Sequence, residues 1–190
     1  MIGNAIAGLY GVGVTPSTTA YESISTVTVG GGGVSDVTFS SIPGTFTHLQ
    51  IRFIGKDNRS GVATSVLFMQ CNGDTGSTYS QHFLVGDGST AGAGGGSFTQ
   101  IQVGDMLTGG TSNASTFGAG VVDILDYANT NKYKTVRSLG GMDMNGSGYA
   151  GLYSGNWRNT AAVTSIRLFG FGAAPLQQYS QFALYGIKGA

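Results

Sequence analysis

The chain has 190 residues, enough for one sizeable core, and it combines 34 glycines with only 3 prolines. Without a triplet repeat that composition excludes collagen, and the scarcity of proline argues against a proline-rich disordered chain. Nine basic and nine acidic residues cancel, and charged residues make up only 9% of the chain, so there is no basic excess to hold a nucleic-acid backbone.

Near-zero net charge promotes association, which points to a surface partly hidden against partner chains. Cys71 is the sole cysteine, so neither a disulfide framework nor a multi-cysteine zinc site is expected within the chain. Met1 to Val14 lacks the basic start and continuous apolar run of a signal peptide. No apolar run is long enough to cross a bilayer as a helix, so membrane insertion is not expected.

Taken in order, residues 1–20 read as a docking arm and connector. Ile2, Ile6, Leu9 and Tyr10 fall at near-helical spacing, but Gly3 and Gly8 weaken an isolated helix, so these apolar residues need a partner surface. Residues 21–190 read as one β-sandwich domain. Tyr21 to Val29 and Val34 to Ser40 are β-rich runs around Gly30 to Gly33, which predicts a hairpin. That glycine run lacks the Lys-Ser/Thr ending of a phosphate loop.

His48 to Phe53 alternates cleanly, Leu49, Ile51 and Phe53 facing one way and His48, Gln50 and Arg52 the other. Lys56 to Gly61 is the densest charge cluster and reads as a solvated turn or an intersubunit ion-pair site. Thr64 to Cys71 is a further strand. Asn72 to Ser77 is a turn whose oxygens miss the spacing of a calcium loop. Tyr79 to Val85 is a strand, Gly86 to Ser97 a mobile loop in which Gly and Ala dominate, and Phe98 to Val103 another strand.

Phe117 to Met144 organises the chain. The runs Gly120 to Tyr127 and Thr135 to Leu139 flank a polar turn and predict a long hairpin. Both faces of the first run are apolar, Val122 and Ile124 on one, Val121, Leu125 and Tyr127 on the other, so this strand is expected to be covered twice. Asp123 and Asp126 sit at odd spacing, too poorly placed for paired-carboxylate catalysis, and are expected to pair with Lys132, Lys134 or Arg137. His48 and His82 adjoin no nucleophile motif, so no catalytic residue, cofactor site or metal site is assigned.

Tyr149 to Ser154, Val163 to Phe169 and Gln178 to Ile187 complete the strands. Tyr149, Tyr153 and Trp157, with Arg158 and neighbouring amides, form a candidate glycan platform if their rings are exposed; burial as a packing or interface anchor is the competing reading. The expected fold is an all-β, antiparallel β-sandwich of jelly-roll type with a short N-terminal arm.

Several stretches carry a resemblance: Ser40 to Pro43, Thr47 to Arg52, Asn72 to Ser77, Asp123 to Lys132 and Phe182 to Lys188, together with Met1 to Gly8. They are similar to small structural proteins of tailed bacteriophages, common in phages of cyanobacteria and other aquatic bacteria. The resemblance implies a virion component on the particle surface and transfers no catalytic residue. Two roles follow from it. One is a capsid decoration (cement) protein, a homotrimer gripping the major capsid protein through its arm; the other is a receptor-binding module of a tail or fibre that contacts host surface glycan.

Overall fold

Alternating apolar and polar side chains place one face of a strand in a core and the other outside it. A computed structural model describes residues 20–108 and 115–189, so Ile2, Ile6, Leu9 and Tyr10 lie outside the described residues. Within them the chain forms twelve strands. These are β1 (Tyr21–Thr28), β2 (Asp36–Phe39), β3 (His48–Gly55), β4 (Thr64–Cys71), β5 (Tyr79–Gly86) and β6 (Ala91–Phe98). They continue as β7 (Ile101–Thr108), β8 (Gly118–Leu125), β9 (Lys134–Asp143), β10 (Gly148–Trp157), β11 (Ile166–Gly170) and β12 (Gln181–Ile187).

The strands make an antiparallel β-sandwich. One sheet has eight strands in the order β1-β12-β3-β8-β9-β10-β5-β6, and the other has four in the order β2-β11-β4-β7. A single buried cluster joins them, with Leu49, Val122 and Phe182 from the large sheet meeting Leu67, Ile101 and Ile166 from the small one. Each such side chain stabilises the fold by about 1.5–3 kcal/mol relative to exposure. The predicted long hairpin is β8–β9, paired from Ala119↔Gly141 to Leu125↔Thr135.

Polar clasps fix the distance between the layers. Ile101 of β7 fills the space where Gly155 of β10 has no side chain; a Cβ there would come within 2.4 Å of the isoleucine. Beside it the Ser138 hydroxyl of β9 donates to the Val103 carbonyl of β7 at 2.7 Å, and the Gln81 side-chain carbonyl of β5 accepts the Gln102 backbone N–H.

Four sequence expectations are corrected. Gly30 to Gly33 do not close a hairpin: β1 pairs with β12 and β2 with β11, so the chain crosses between sheets there. Gly86 to Ser97 is not a mobile loop, because residues 91–98 form β6, paired with β5 without a register shift. Its glycines let neighbouring rings lie flat on it; a Cβ on Gly94 would meet the Phe83 ring at 2.7 Å. Lys56 and Asp57, read as a solvated turn, are buried. The Asp57 carboxylate accepts from the Ser65 hydroxyl and, at 3.1 Å, from the Arg59 N–H, while burial raises its pKa. Finally, β8 is covered on one face only among the described residues, which place no layer on the outer side of the eight-stranded sheet.

Lys134, on β9, is fully buried, and its ammonium donates to the carbonyls of Asn129, Lys132 and Thr160 at 2.6, 2.9 and 3.1 Å. Three donors meet three acceptors, so the charge ties the β8–β9 turn to the segment after β10. Asp123 pairs with Arg137 at 3.0 Å and Asp126 with Lys132, as the sequence suggests, but Lys134 takes no carboxylate.

Burial pushes the Cys71 thiol from 9.0 up to about 12 and raises the phenols of Tyr79 and Tyr127. The folded state thus holds protons that the unfolded chain releases first, so stability present below pH 9.0 is lost as pH climbs towards about 12. Burial lowers the Lys134 pKa from 10.5, a contribution of opposite sign that partly offsets the loss just below that pH. In urea titrations at stepped pH, Cys71→Ala is expected to make the loss of stability above pH 9.0 shallower; an unchanged slope would contradict the assignment.

Candidate interaction surface

On the outer face of the large sheet, strand register decides which side chains stand side by side. One row runs Val121↔Leu139, Leu139↔Leu152, Leu152↔Leu84 and Leu84↔Ala93 across β8, β9, β10, β5 and β6. The next runs Ile54↔Ala119, Ala119↔Gly141, Gly141↔Ala150, Ala150↔Gly86 and Gly86↔Ala91. Together they make an apolar strip about 19 Å long from β8 to β6, at the usual strand spacing. Leu84, Leu139 and Leu152 at its centre are 54%, 58% and 51% exposed. They line a shallow depression of about 390 Å³ whose walls carry no charged residue.

The strip is flanked by a self-satisfied polar network that spans its β3 end and the next row. The Arg52 guanidinium donates to Gln50 at 3.0 Å, the Gln50 amide to Asp123 at 2.8 Å, and Arg137 to the other Asp123 oxygen at 3.0 and 3.1 Å. Arg52 also lies 5.8 and 5.6 Å from the rings of Tyr21 and Tyr185, a cation–π arrangement. Beyond it, His48 Nδ1 accepts the Asp126 backbone N–H at 2.9 Å. Because these polar groups bind one another, the face offers a neutral apolar strip with a pre-organised polar margin.

The structure separates the four residues of the candidate glycan platform. Trp157 and Tyr153 are 1% and 2% exposed, so they belong to the core and cannot stack on a sugar. The physical reason is strand parity: Gly151, Tyr153, Gly155 and Trp157 of β10 all face the small sheet. Trp157 packs parallel to Tyr79, ring centroids 6.5 Å apart, and its indole N–H donates to the Asp74 carboxylate at 2.8 Å. Arg158 is exposed, yet its guanidinium donates to the Ser77 and Thr78 carbonyls. Tyr149 alone of the three aromatics is well exposed, beside an open cleft of about 420 Å³ bordered by Asp87, Met142, Asp143 and Ser147. The Asp87 carboxylate there is taken by the N–H groups of Ser89 and Thr90, and Asp143 by that of Asn145.

The turn from Asn72 to Ser77 is pinned rather than open. Asp74 accepts from Trp157, from the Thr78 hydroxyl at 2.7 Å and from the Gly76 N–H at 2.9 Å. The Trp157 bond is the chief cause of its lowered pKa. Among the described residues there is no cluster of three or more His, Cys, Asp or Glu side chains placed to hold a metal ion.

Sequence reading missed the strip because no single strand displays it. Leu84, Leu139 and Leu152 are ordinary alternating residues in three separate segments, and only register brings them together. The available signal was the two-sided apolar character of β8 and β9.

Trp157→Phe keeps an aromatic side chain, though a smaller one, and loses the donor to Asp74; the lost bond to the carboxylate alone is expected to cost about 1–3 kcal/mol in urea unfolding. Full wild-type stability in that variant would show the indole bond to be dispensable. No family model, no curated protein and no solved structure matches this chain.

Proposed function

We propose that this chain is a structural protein of a tailed-bacteriophage virion, a capsid decoration protein seated on the outer surface of the shell and reinforcing it. The resemblance in sequence supplies the particle context. The observation that carries the role is the neutral apolar strip centred on Leu84, Leu139 and Leu152. Contiguous exposed apolar side chains rimmed by polar groups mark protein–protein contact sites. The partner that fits is an uncharged, apolar protein surface such as a shell lattice offers. Residues 1–20, with Ile2, Ile6, Leu9 and Tyr10, supply a second attachment.

Strand order supports the same reading. Set aside β5, β6, β9 and β10, and renumber the rest from 1 to 8 along the chain: the sheets run 1-8-3-6 and 2-7-4-5. We read this as a jelly roll, an architecture used in viral capsids and lectins, with two added hairpins. A shared fold does not imply a shared function, so the added strands matter more than the frame. Leu84, Leu139 and Leu152 all lie on them.

In this role the chain needs no catalytic residue, cofactor, nucleic acid or membrane; its partners are itself and the shell protein. A receptor-binding role would draw on exposed aromatics, and of Tyr149, Tyr153 and Trp157 only Tyr149 is available.

The double variant Leu139→Ser/Leu152→Ser alters two exposed positions and should fold normally. Its affinity for purified shells stripped of this protein is expected to fall by about tenfold or more, the usual effect of losing an interface anchor. Unchanged shell occupancy would remove the strip as the attachment surface. Deleting residues 1–14 tests the arm separately, with reduced occupancy expected.

A further inference from the structure

A sheet edge exposes unpaired N–H and C=O groups, and proteins that stay monomeric blunt it. Among the described residues this sandwich has four edges, β1 and β6 on the large sheet and β2 and β7 on the small one. Three are blunted. β1 carries a bulge between Ser23 and Ser25 and the Glu22–Lys188 ion pair. β2 has only four residues, one of them Asp36. β7 gives its Gln102 N–H and Val103 carbonyl to side chains of the large sheet, and its pairing with β4 is twice irregular.

β6 has none of these devices. It is eight residues long, reads Ala-Gly-Ala-Gly-Gly-Gly-Ser-Phe, pairs with β5 in unbroken register and contains no charge and no proline. We infer that β6 is a docking edge, and that its occupant is β6 of a second copy, paired antiparallel about a two-fold axis to join two eight-stranded sheets into one.

Which groups point outward follows from the turn. The Asp87 N–H donates to the Thr90 carbonyl at 3.2 Å, and bonded pairs alternate along an antiparallel ladder. Gly92, Gly94 and Gly96 therefore bond to β5, and Ala91, Ala93, Gly95 and Ser97 turn their N–H and C=O groups to the edge. Placing Gly94 on the axis sets Ala93 opposite Gly95 and Ala91 opposite Ser97. Every side chain at the junction is then small, and no like charges meet.

Three features select a second copy over another strand. The segment is nearly uniform in side-chain size, so it complements itself in reverse. The bulge and ion pair of β1 disfavour a head-to-tail chain of β6 on β1. The apolar strip ends on β6 at Ala91 and Ala93, and a two-fold at Gly94 brings the two strips together diagonally, staggered by two residues at Ala93, with only the small residues Gly95 and Ser97 opposite them. None of this depends on the particle role proposed above.

The test is sedimentation velocity and native mass spectrometry of the full chain and of Ala93→Pro. Proline at Ala93 removes an outward N–H and leaves the bonds to β5, a placement that edge strands tolerate. Wild type is expected as two copies and Ala93→Pro as one, with the same circular dichroism and cooperative thermal unfolding. If Ala93→Pro misfolds, Ser97→Lys, an exposed position, serves in its place, and amide exchange at Ala91, Ala93 and Gly95 is expected to be slow only in the dimer. A wild type that stays monomeric at high concentration overturns the inference. So does a trimer or larger assembly that neither variant affects, or a dimer that dissociates when residues 1–14 are removed.

Discussion

A sandwich of two sheets covers only one face of each, and that constraint governs this molecule. The inner face of the eight-stranded sheet is sealed by the four-stranded one through a continuous cluster of apolar side chains. Its outer face must be made tolerable to water by its own residues or be covered by something else. Over β3, β8 and the start of β9 the first solution is used, in the network that links Arg52, Gln50, Asp123 and Arg137. Farther along β9, β10 and β5 it is not, and leucines stand in register with leucines.

The scarcity of charge follows the same division. Several charged residues are spent inside the molecule: Lys134 on three backbone carbonyls, Asp57 on Ser65 and Arg59, Asp74 on the Trp157 indole and its own turn. Buried or half-buried polar groups satisfied in this way fix one arrangement of the loops, because any shift leaves a donor or acceptor unpaired. The chain thus holds its sheets at a defined spacing and its turns rigid, while the apolar strip and the β6 edge carry no charge to keep neighbours away. Rigidity within and neutrality without are the physical requirements of a subunit built into a larger body.

Much of the fold was legible in the sequence. The clean alternation of Leu49, Ile51 and Phe53 and the hairpin from Gly120 to Leu139 reappear as β3 and β8–β9. The misreadings share one cause: local signals do not carry tertiary pairing. Gly30 to Gly33 look like a turn between partners but join strands of different sheets. Gly92 to Gly96 look like a loop, yet rings from Phe83 and His82 cover them and make a strand possible. Trp157 reads in sequence either as an exposed platform or as a packing anchor, and strand parity settles it as the anchor, turned inward beside Tyr79. The two-sided apolar pattern of β8 was seen correctly, but the second cover it implied is not supplied by the described part of the chain.

The central claim is that this outer face meets a repeating shell. The most direct measurement is the copy number of the chain in purified particles, determined by quantitative mass spectrometry against the major capsid protein. A ratio that is a simple fraction of the shell-protein count is the result the account predicts. A ratio far below that, as expected for a protein confined to the tail or a single vertex, would contradict it.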